Sequence, residues 1–473
     1  MEKELLLFQI GPVQEFIAQA ETLGDLRVGS EMLSEVTAAA LRTIPGYETE
    51  AVFPDVKKEA LEGIPNRFLV FVPKGRGEEL ARAAAEAARE ALVKMAEVAW
   101  PELLKMAKEE KTGLDESRHD AYRQQVEAFL QTTWTVLKQP SGQMGADYKT
   151  IGKLMALRRN VRAFEAWHEE ATGGVKDFLS GKEFALDVAD GRADNRNGGR
   201  GAMNLIKKAR WTEEDKVEET KLGSYIAVLA LDGDHMGGKL SGFTTQAEHR
   251  AFSERLAQFA QSVFLKPDDG QLIYAGGDDV LAVVKATRAI PLAQELAALF
   301  KAKVAVAGIT ASVGIAIGSS KAPLQDLVHE AHAAESRAKR VYGRDALAVS
   351  VVKRSGEILH WGCKWSSKAL EIYAQLAKVS GEDSLSRFAY KLASFLAPYD
   401  LASCKKLDAA MRDVIWAETQ HVLEQTEGAE KVLPEEQQTL LEAYLKEESV
   451  TARPADYLGL FLCEAFIDRP RGE

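Results

Sequence analysis

The segment LIYAGGDDVLAVV, residues 272–284, sets two adjacent carboxylates, Asp278 and Asp279, between two apolar runs. Gly-Asp pairs are ordinary turn chemistry, because Gly supplies positive φ and Asp bonds its own backbone. A hairpin turn needs only one such aspartate. Two side by side repel, and a divalent cation relieves that repulsion best. Mg²⁺ is typically held by one or two carboxylates plus substrate phosphates. Taken alone, the pair fits either a plain hairpin or a metal site, and the metal reading needs a third ligand from elsewhere in the chain.

Asp232 is the candidate. It ends the apolar run YIAVLALD, and Asp234 follows one residue later in LDGDHMGG. In a strand–helix–hairpin unit the end of the first strand lies beside the tip of the hairpin, which predicts that Asp232 approaches Asp278 and Asp279. Unpaired buried carboxylates are expensive. Two Mg²⁺ ions neutralise such a trio and clamp the attacking and leaving oxygens of a phosphoryl transfer. Gly276-Gly277 and Gly237-Gly238 leave room for a nucleotide beside the backbone. Asp234 reads either as a further ligand or as the N-cap of the next helix.

The elements that must position these residues follow from periodicity. ELLLFQI (4–10) reads as a strand, and the residues after it read as a helix broken by Gly24 and Gly29, with Pro12 in its first turn. AVFP and NRFLVFVP read as short strands, and an Ala- and Glu-rich helix spans about 77–110. Residues 114–220 read as mostly helical, with a Gly-rich basic loop at 189–210 that is either a solvated surface loop or an RNA contact. A second unit begins with the strand 224–231 and continues through a helix (245–265), the Asp278-Asp279 hairpin and a helix (289–301). A strand (304–318), the helix PLQDLVHEAHAAESRAKRVYG and the strand ALAVSVV complete it. The recurring order strand, helix, strand, strand, helix predicts two ferredoxin-like units, a weak internal duplication. The stretch from about 356 to the end carries little strand signal after Val352 and reads as a helical bundle.

Composition bounds the class. A chain of 473 residues with 46% apolar and 28% charged content predicts two to four soluble domains. A net charge of −11 argues against a free DNA-binding protein but allows local basic patches. Cys363, Cys404 and Cys463 are far apart, which argues against a disulfide framework and fits a reducing cytoplasm. No run approaches the roughly 18 apolar residues of a membrane span. Trp100, Trp134 and Trp167 fall in predicted helical stretches and read as core or interface residues, and LRRNVR (157–162) reads as an exposed helix face or an RNA contact.

With these motifs in hand, a family resemblance is evident. LDGDHMGG, YAGGDDVLAV and ASVGIAIGSSKAPLQDLVHEAHAAESRAKRVYGRDALAVSVVKRSGE resemble the cyclase-type palm of the large subunit of type III CRISPR effector complexes, the Cas10 family. FQIGPVQEFIAQAETLGDLRVGSEMLS resembles the opening of the first palm in its type III-B branch, Cmr2. The resemblance implies an α+β fold with two ferredoxin-like palms of nucleotidyl cyclase/polymerase type, an intervening helical domain and a C-terminal helical bundle. The expected boundaries are 1–112 for a degenerate first palm, 113–222 for a mainly helical linker domain, 223–355 for the catalytic palm and 356–473 for the bundle.

It further implies synthesis of cyclic oligoadenylates from ATP, joining a ribose 3′-hydroxyl to an α-phosphate, when target RNA is bound. Asp232, Asp278 and Asp279 match metal ligands for two Mg²⁺ or Mn²⁺ ions, with the Gly233 carbonyl and the Gly276-Gly277 turn beside the nucleotide. Lys339 and Arg344 match basic positions that neutralise triphosphate; physically, a cation there stabilises developing charge on the leaving pyrophosphate. The first palm has Gly11-Pro12 where the second has Asp232-Gly233, so it is expected to complete the ATP pocket without binding metal. Implied partners are crRNA, target RNA and the other type III-B subunits in the cytoplasm, with no membrane.

The chain departs from the family in two respects. It opens a few residues before the IGPVQ segment, so no HD nuclease is expected; His119-Asp120 is an isolated dipeptide. The linker stretch GGVKDFLSGKEFAL has no cysteine, so the zinc site of many relatives is expected to be missing. The rival readings are a catalytically silent scaffold subunit of the same ribonucleoprotein and a stand-alone dinucleotide cyclase. The intact aspartate set argues against the first, and GGDD together with the IGPVQ unit against the second.

Overall fold

The computed structural model describes residues 3–56, 63–161, 174–188, 198–212, 222–379 and 383–467. Trp167 and the loop segment 189–197 lie outside them. The chain divides into two compact units. The first comprises Met1–Lys221, His235–Phe264 and Leu272–Asp279; the second comprises Leu222–Asp234, Leu265–Gln271 and Val280–Glu473.

The first unit is built on a four-stranded sheet of order β2-β3-β1-β4: β1 (Lys3–Gly11), β2 (Ala51–Phe53), β3 (Arg67–Pro73) and β4 (Gln131–Leu137). β1 pairs antiparallel with both β3 and β4, so its run Leu5–Phe8 is buried on both faces. On one face Leu5, Leu7 and Leu69 pack on Met144, Ile151 and Met155 of the helix Met144–Asn160. Phe8 stacks on Phe68 with ring centres 5.0 Å apart. The long helix runs Gly77–Glu110, as its periodicity predicts.

Three expectations change here. The helix after β1 is not broken at Gly24 and Gly29. A short helix, Gln14–Ala18, ends first, and a new one, Leu23–Arg42, starts from a capping box in which Thr22 and Asp25 bond each other's backbone amides. Gly24 and Gly29 lie inside this second helix; a Cβ at Gly29 would sit 3.0 Å from Cε of the fully buried Lys207. Pro12 precedes the first helical turn rather than entering it. Finally, QTTWTVL forms β4 inside the stretch read as helical, and Trp134 stands on that strand with the Arg158 guanidinium 5.6 Å from its ring centre.

A second sheet has the order β10-β9-β8-β5-β7-β6. Its strands are β5 (Tyr225–Gly233), β6 (Gly270–Gly276), β7 (Asp279–Lys285), β8 (Ala311–Ser319), β9 (Ala346–Val352) and β10 (Ile358–Lys364). The order β8-β5-β7-β6 has the same connectivity as β4-β1-β3-β2 of the first unit, so the duplication read from element order is present in topology. β5 and β8 pair antiparallel, with Asp232 opposite Ser312. β9 extends the sheet parallel to β8.

The strand expected from 304 begins only at Ala311, because the preceding helix reaches Val304 and the chain then turns through Ala305 and Gly308, both at positive φ. β10 was not read from the sequence. It returns antiparallel on β9 through a turn at Gly356, so the expected boundary at 356 falls within a hairpin. The rest of the chain to Ile467 is helical. Among the described residues no helix is long and apolar enough to cross a membrane.

The helix Leu324–Arg340 lies against β8 because two strand positions lack a side chain. A Cβ on Gly314 would stand 2.0 Å from the Glu335 amide nitrogen and 2.2 Å from the Ala331 carbonyl oxygen. This close approach fixes the height of the helix that carries Lys339. Gly314→Ala is expected to overpack the contact and destabilise the unit by about 1–3 kcal/mol, read as a lower melting temperature; an unchanged melting temperature would show that the contact is slack.

Candidate functional site: the carboxylate hairpin and the basic turn

β6 and β7 are joined by Gly277-Asp278, with Gly277 at φ 66° supplying the left-handed residue that the reversal requires. Asp278 occupies the turn and Asp279 begins β7, and both are half-buried. Burial pushes the carboxyl of Asp278 well above the carboxylate range, and repulsion from Asp279 pushes it further. Burial likewise raises Asp279, and the Arg67 guanidinium of β3 works against both shifts. Arg67 was missed in the sequence. It is an ordinary exposed residue at a strand start, and only the fold brings its charge to the hairpin.

The hairpin borders a cavity of about 1170 Å³ in the first unit. From the hairpin come Ile273, Tyr274, Ala275, Gly276 and Asp279; from the first sheet and its helices come Gly11, Pro12, Gln14, Ser30 and Ser34, together with the loop 63–66. A Cβ on Gly276 would meet the Gly63 carbonyl at 3.8 Å. The Ser34 hydroxyl is buried without a protein partner among the described residues, a polar group available to a ligand.

The second unit holds the other predicted residues. Asp232 is partly exposed at the end of β5, and the Lys339 ammonium forms an ion pair with it and, at 2.7 Å, with Glu335. Burial, then the nearby Arg344 cation, lowers Lys339 to about 8. Gly233 closes β5 opposite Ala311. Arg344 is exposed in the turn before β9 at φ 63°.

Asp234 is neither helix cap nor outward-facing ligand. The helix Met236–Leu240 is preceded by His235, with no side-chain cap. Asp234 is fully buried and accepts from the Thr310 hydroxyl (2.7 Å), the Ser312 hydroxyl (2.8 Å) and the Asp345 amide (2.9 Å). The polar residues Thr310 and Ser312 at the head of an otherwise apolar strand were the available signal for this bracket.

Among the described residues no group of three or more His, Cys, Asp or Glu side chains forms a metal-holding cluster. The fit to a divalent cation therefore rests on the hairpin pair. Two adjacent carboxylates destabilised by burial and by each other match the small protein share of a Mg²⁺ site, in which water and phosphate oxygens complete the shell.

The family model described as "Cas10/Cmr2, second palm domain" matches residues 225–348, and that described as "CRISPR-associated protein Cmr2, N-terminal" matches residues 5–97. These two stretches of the chain are similar to the Cas10/Cmr2 family. A curated relative, the CRISPR system Cmr subunit Cmr2 of Pyrococcus furiosus, is 31% identical over 200 residues. That match covers 33% of this chain and 23% of the relative, well under two thirds of its length. In fold, the chain is similar to a Csm1-Csm4 cassette in complex with cA4 (TM-score 0.58, 14% identity, covering 99% of this chain and 70% of that one). It is also similar to the type III-B Cmr-beta apo state solved by cryo-EM (TM-score 0.62, 10% identity, 90% and 77%). A further similar structure is the Csm1-Csm4 cassette with AMPPNP (TM-score 0.55, 14% identity, 99% and 70%). These likenesses bear out the palm-type α+β fold expected of the Cas10/Cmr2 resemblance.

The raised carboxyls set a stability signature. A carboxyl whose folded pKa exceeds its unfolded value of about 3.9 favours folding most at low pH, and that contribution is lost as pH rises through the raised value. In metal-free buffer Asp278→Asn is therefore expected to melt several degrees above the wild type near pH 8, with the gap closing near pH 4. A gap independent of pH would contradict the assignment.

Proposed function

We propose that this chain is the large subunit of a type III-B CRISPR effector complex and makes cyclic oligoadenylates from ATP by 3′–5′ nucleotidyl transfer when target RNA is bound. The observation that carries the reading is the half-buried, mutually repelling Asp278-Asp279 pair on a two-glycine hairpin bordering a cavity of about 1170 Å³. The matches of residues 225–348 and 5–97 to the Cas10/Cmr2 palm and Cmr2 N-terminal models support it, as does likeness in fold to cassettes solved with cA4 and with AMPPNP.

Asp278 and Asp279 would hold the Mg²⁺ or Mn²⁺ ions. When bound, those ions supply Lewis-acid stabilisation of phosphate oxygens and acidify the attacking hydroxyl. The chain's own residues bind and orient. Gly276 and Gly277 keep the hairpin tip bare, so a nucleotide approaches the backbone. Gly11, Pro12 and Ser34 of the first palm line the other wall of the cavity and hold the nucleoside without metal. Lys339 and Arg344 carry the positive charge that balances the triphosphate. The ribose 3′-oxygen forms the new bond to the α-phosphorus, the bond to the β-phosphate oxygen breaks, and pyrophosphate leaves with its charge matched by these cations. The hydroxyl proton passes to solvent. Other type III-B subunits, crRNA and target RNA are the assembly partners.

The test is turnover of ATP by the chain assembled with guide and target RNA, with products identified by mass spectrometry. Asp278→Ala combined with Asp279→Ala is expected to lower cyclic product by at least about 100-fold, in line with the loss of a principal electrostatic group, while assembly and RNA binding persist. Undiminished product from the double variant would overturn the proposal. Absence of product from the wild type in every assembly state would favour the scaffold role.

A further inference from the structure

The basic turn that follows the helix Leu324–Arg340 is held in an unusual backbone conformation. Gly343, Arg344 and Asp345 have φ of 73°, 63° and 48°, three consecutive residues in the left-handed region. Asp tolerates it better than most residues, but Arg344 carries a side chain that disfavours it, so the surroundings must impose it. The backbone contacts of the turn are satisfied locally. The Lys364 ammonium donates to the carbonyls of Gly343 (2.8 Å) and Arg344 (2.5 Å), and the Asp345 amide donates to buried Asp234. The Trp365 amide donates to the Asp345 carbonyl at 3.1 Å.

A second set of contacts is not needed to close the turn. The Tyr342 hydroxyl donates to Asp456 Oδ1 at 2.8 Å, and both residues are buried. Arg453 Nε donates to Asp456 Oδ2 at 3.2 Å, and Arg453 Nη1 donates to the Val341 carbonyl at 3.0 Å. The Arg453 guanidinium lies 4.3 Å from the centre of the Tyr342 ring. Asp456 belongs to the helix Ala455–Ile467 near the end of the chain, more than a hundred residues from the turn. A buried carboxylate with a phenol and a guanidinium as its partners is costly to assemble and more costly to break. Its geometric effect is specific: it ties the residue two before Arg344 to the C-terminal helices.

We propose that Asp456, acting through Tyr342 and Arg453, is a positioning residue for Arg344, so that the C-terminal helices set how well the basic turn binds the triphosphate of ATP. The inference rests on the reading of Lys339 and Arg344 as triphosphate-binding cations. A displacement of the helix Ala455–Ile467 moves Tyr342, and the rigid left-handed turn transmits that movement to Arg344.

The experiment measures binding of inorganic tripolyphosphate to the full chain by calorimetry, and kcat and KM for ATP in the assembled complex. Tyr342→Phe removes one hydroxyl and leaves the ring beneath Arg453. It is expected to weaken tripolyphosphate binding and raise KM about tenfold, with kcat within about twofold and the protein folded. Asp456→Asn, which still accepts from the hydroxyl, is expected to stay near the wild type, whereas Asp456→Ala follows Tyr342→Phe. Wild-type affinity and KM in folded Tyr342→Phe overturn the inference, even if the complex makes cyclic product as proposed. Conversely, a wild type whose tripolyphosphate affinity falls in Tyr342→Phe but which makes no product overturns the catalytic reading and leaves the positioning role intact.

Discussion

The desolvation of two like charges at one hairpin is the constraint around which this chain is arranged. Asp278 and Asp279 are placed where burial and mutual repulsion both disfavour ionisation, and within the first unit Arg67 opposes those effects. No structural need for this pair is evident, because Gly277 alone supplies the reversal. A site that destabilises the fold without its ligand is one that stabilises a cationic ligand when it arrives, and this links the electrostatics of the turn to binding. The surrounding architecture follows from that demand. Glycines keep the tip bare, and the first sheet contributes a wall to the cavity rather than carboxylates of its own.

The second unit solves a related problem by different means. Asp234 is fully buried yet comfortable, because two hydroxyls and an amide satisfy its oxygens. Asp232, two residues earlier, is left partly exposed with a lysine for a partner. Alternation along a strand would set residues two apart on the same face, but Asp234 lies past the end of β5, and the polar head of β8 together with the Asp345 amide holds it buried. One aspartate builds the frame and the other stands partly exposed in an ion pair with Lys339.

Much of this was legible in the sequence. The two glycine-flanked aspartates, the continuous apolar strand ending at Asp232 and the repeated element order identified the hairpin, β5 and the duplication, because hydrophobic period and turn chemistry act locally. What was not legible depended on tertiary contacts. QTTWTVL carries few aliphatic residues and became β4 because β1 had an unpaired edge to offer. ILHWGCK became β10 for the same reason at β9. Gly29 was read as a breaker, but it is an interior helix residue whose bare Cα admits Lys207. Arg67 and the Tyr342–Asp456 contact lie far from the motifs in sequence, and no local pattern announces either. Their roles follow from sheet order and helix docking alone.

The role of the Asp278-Asp279 hairpin turns on whether it binds a divalent cation together with nucleotide. Mn²⁺ binding to the full chain, followed by electron paramagnetic resonance in the presence of a non-hydrolysable ATP analogue, measures this without requiring turnover. Tightly bound Mn²⁺ is expected in the wild type and lost in Asp278→Asn and Asp279→Asn, with the fold retained. Mn²⁺ binding that is undiminished in both variants would contradict that role.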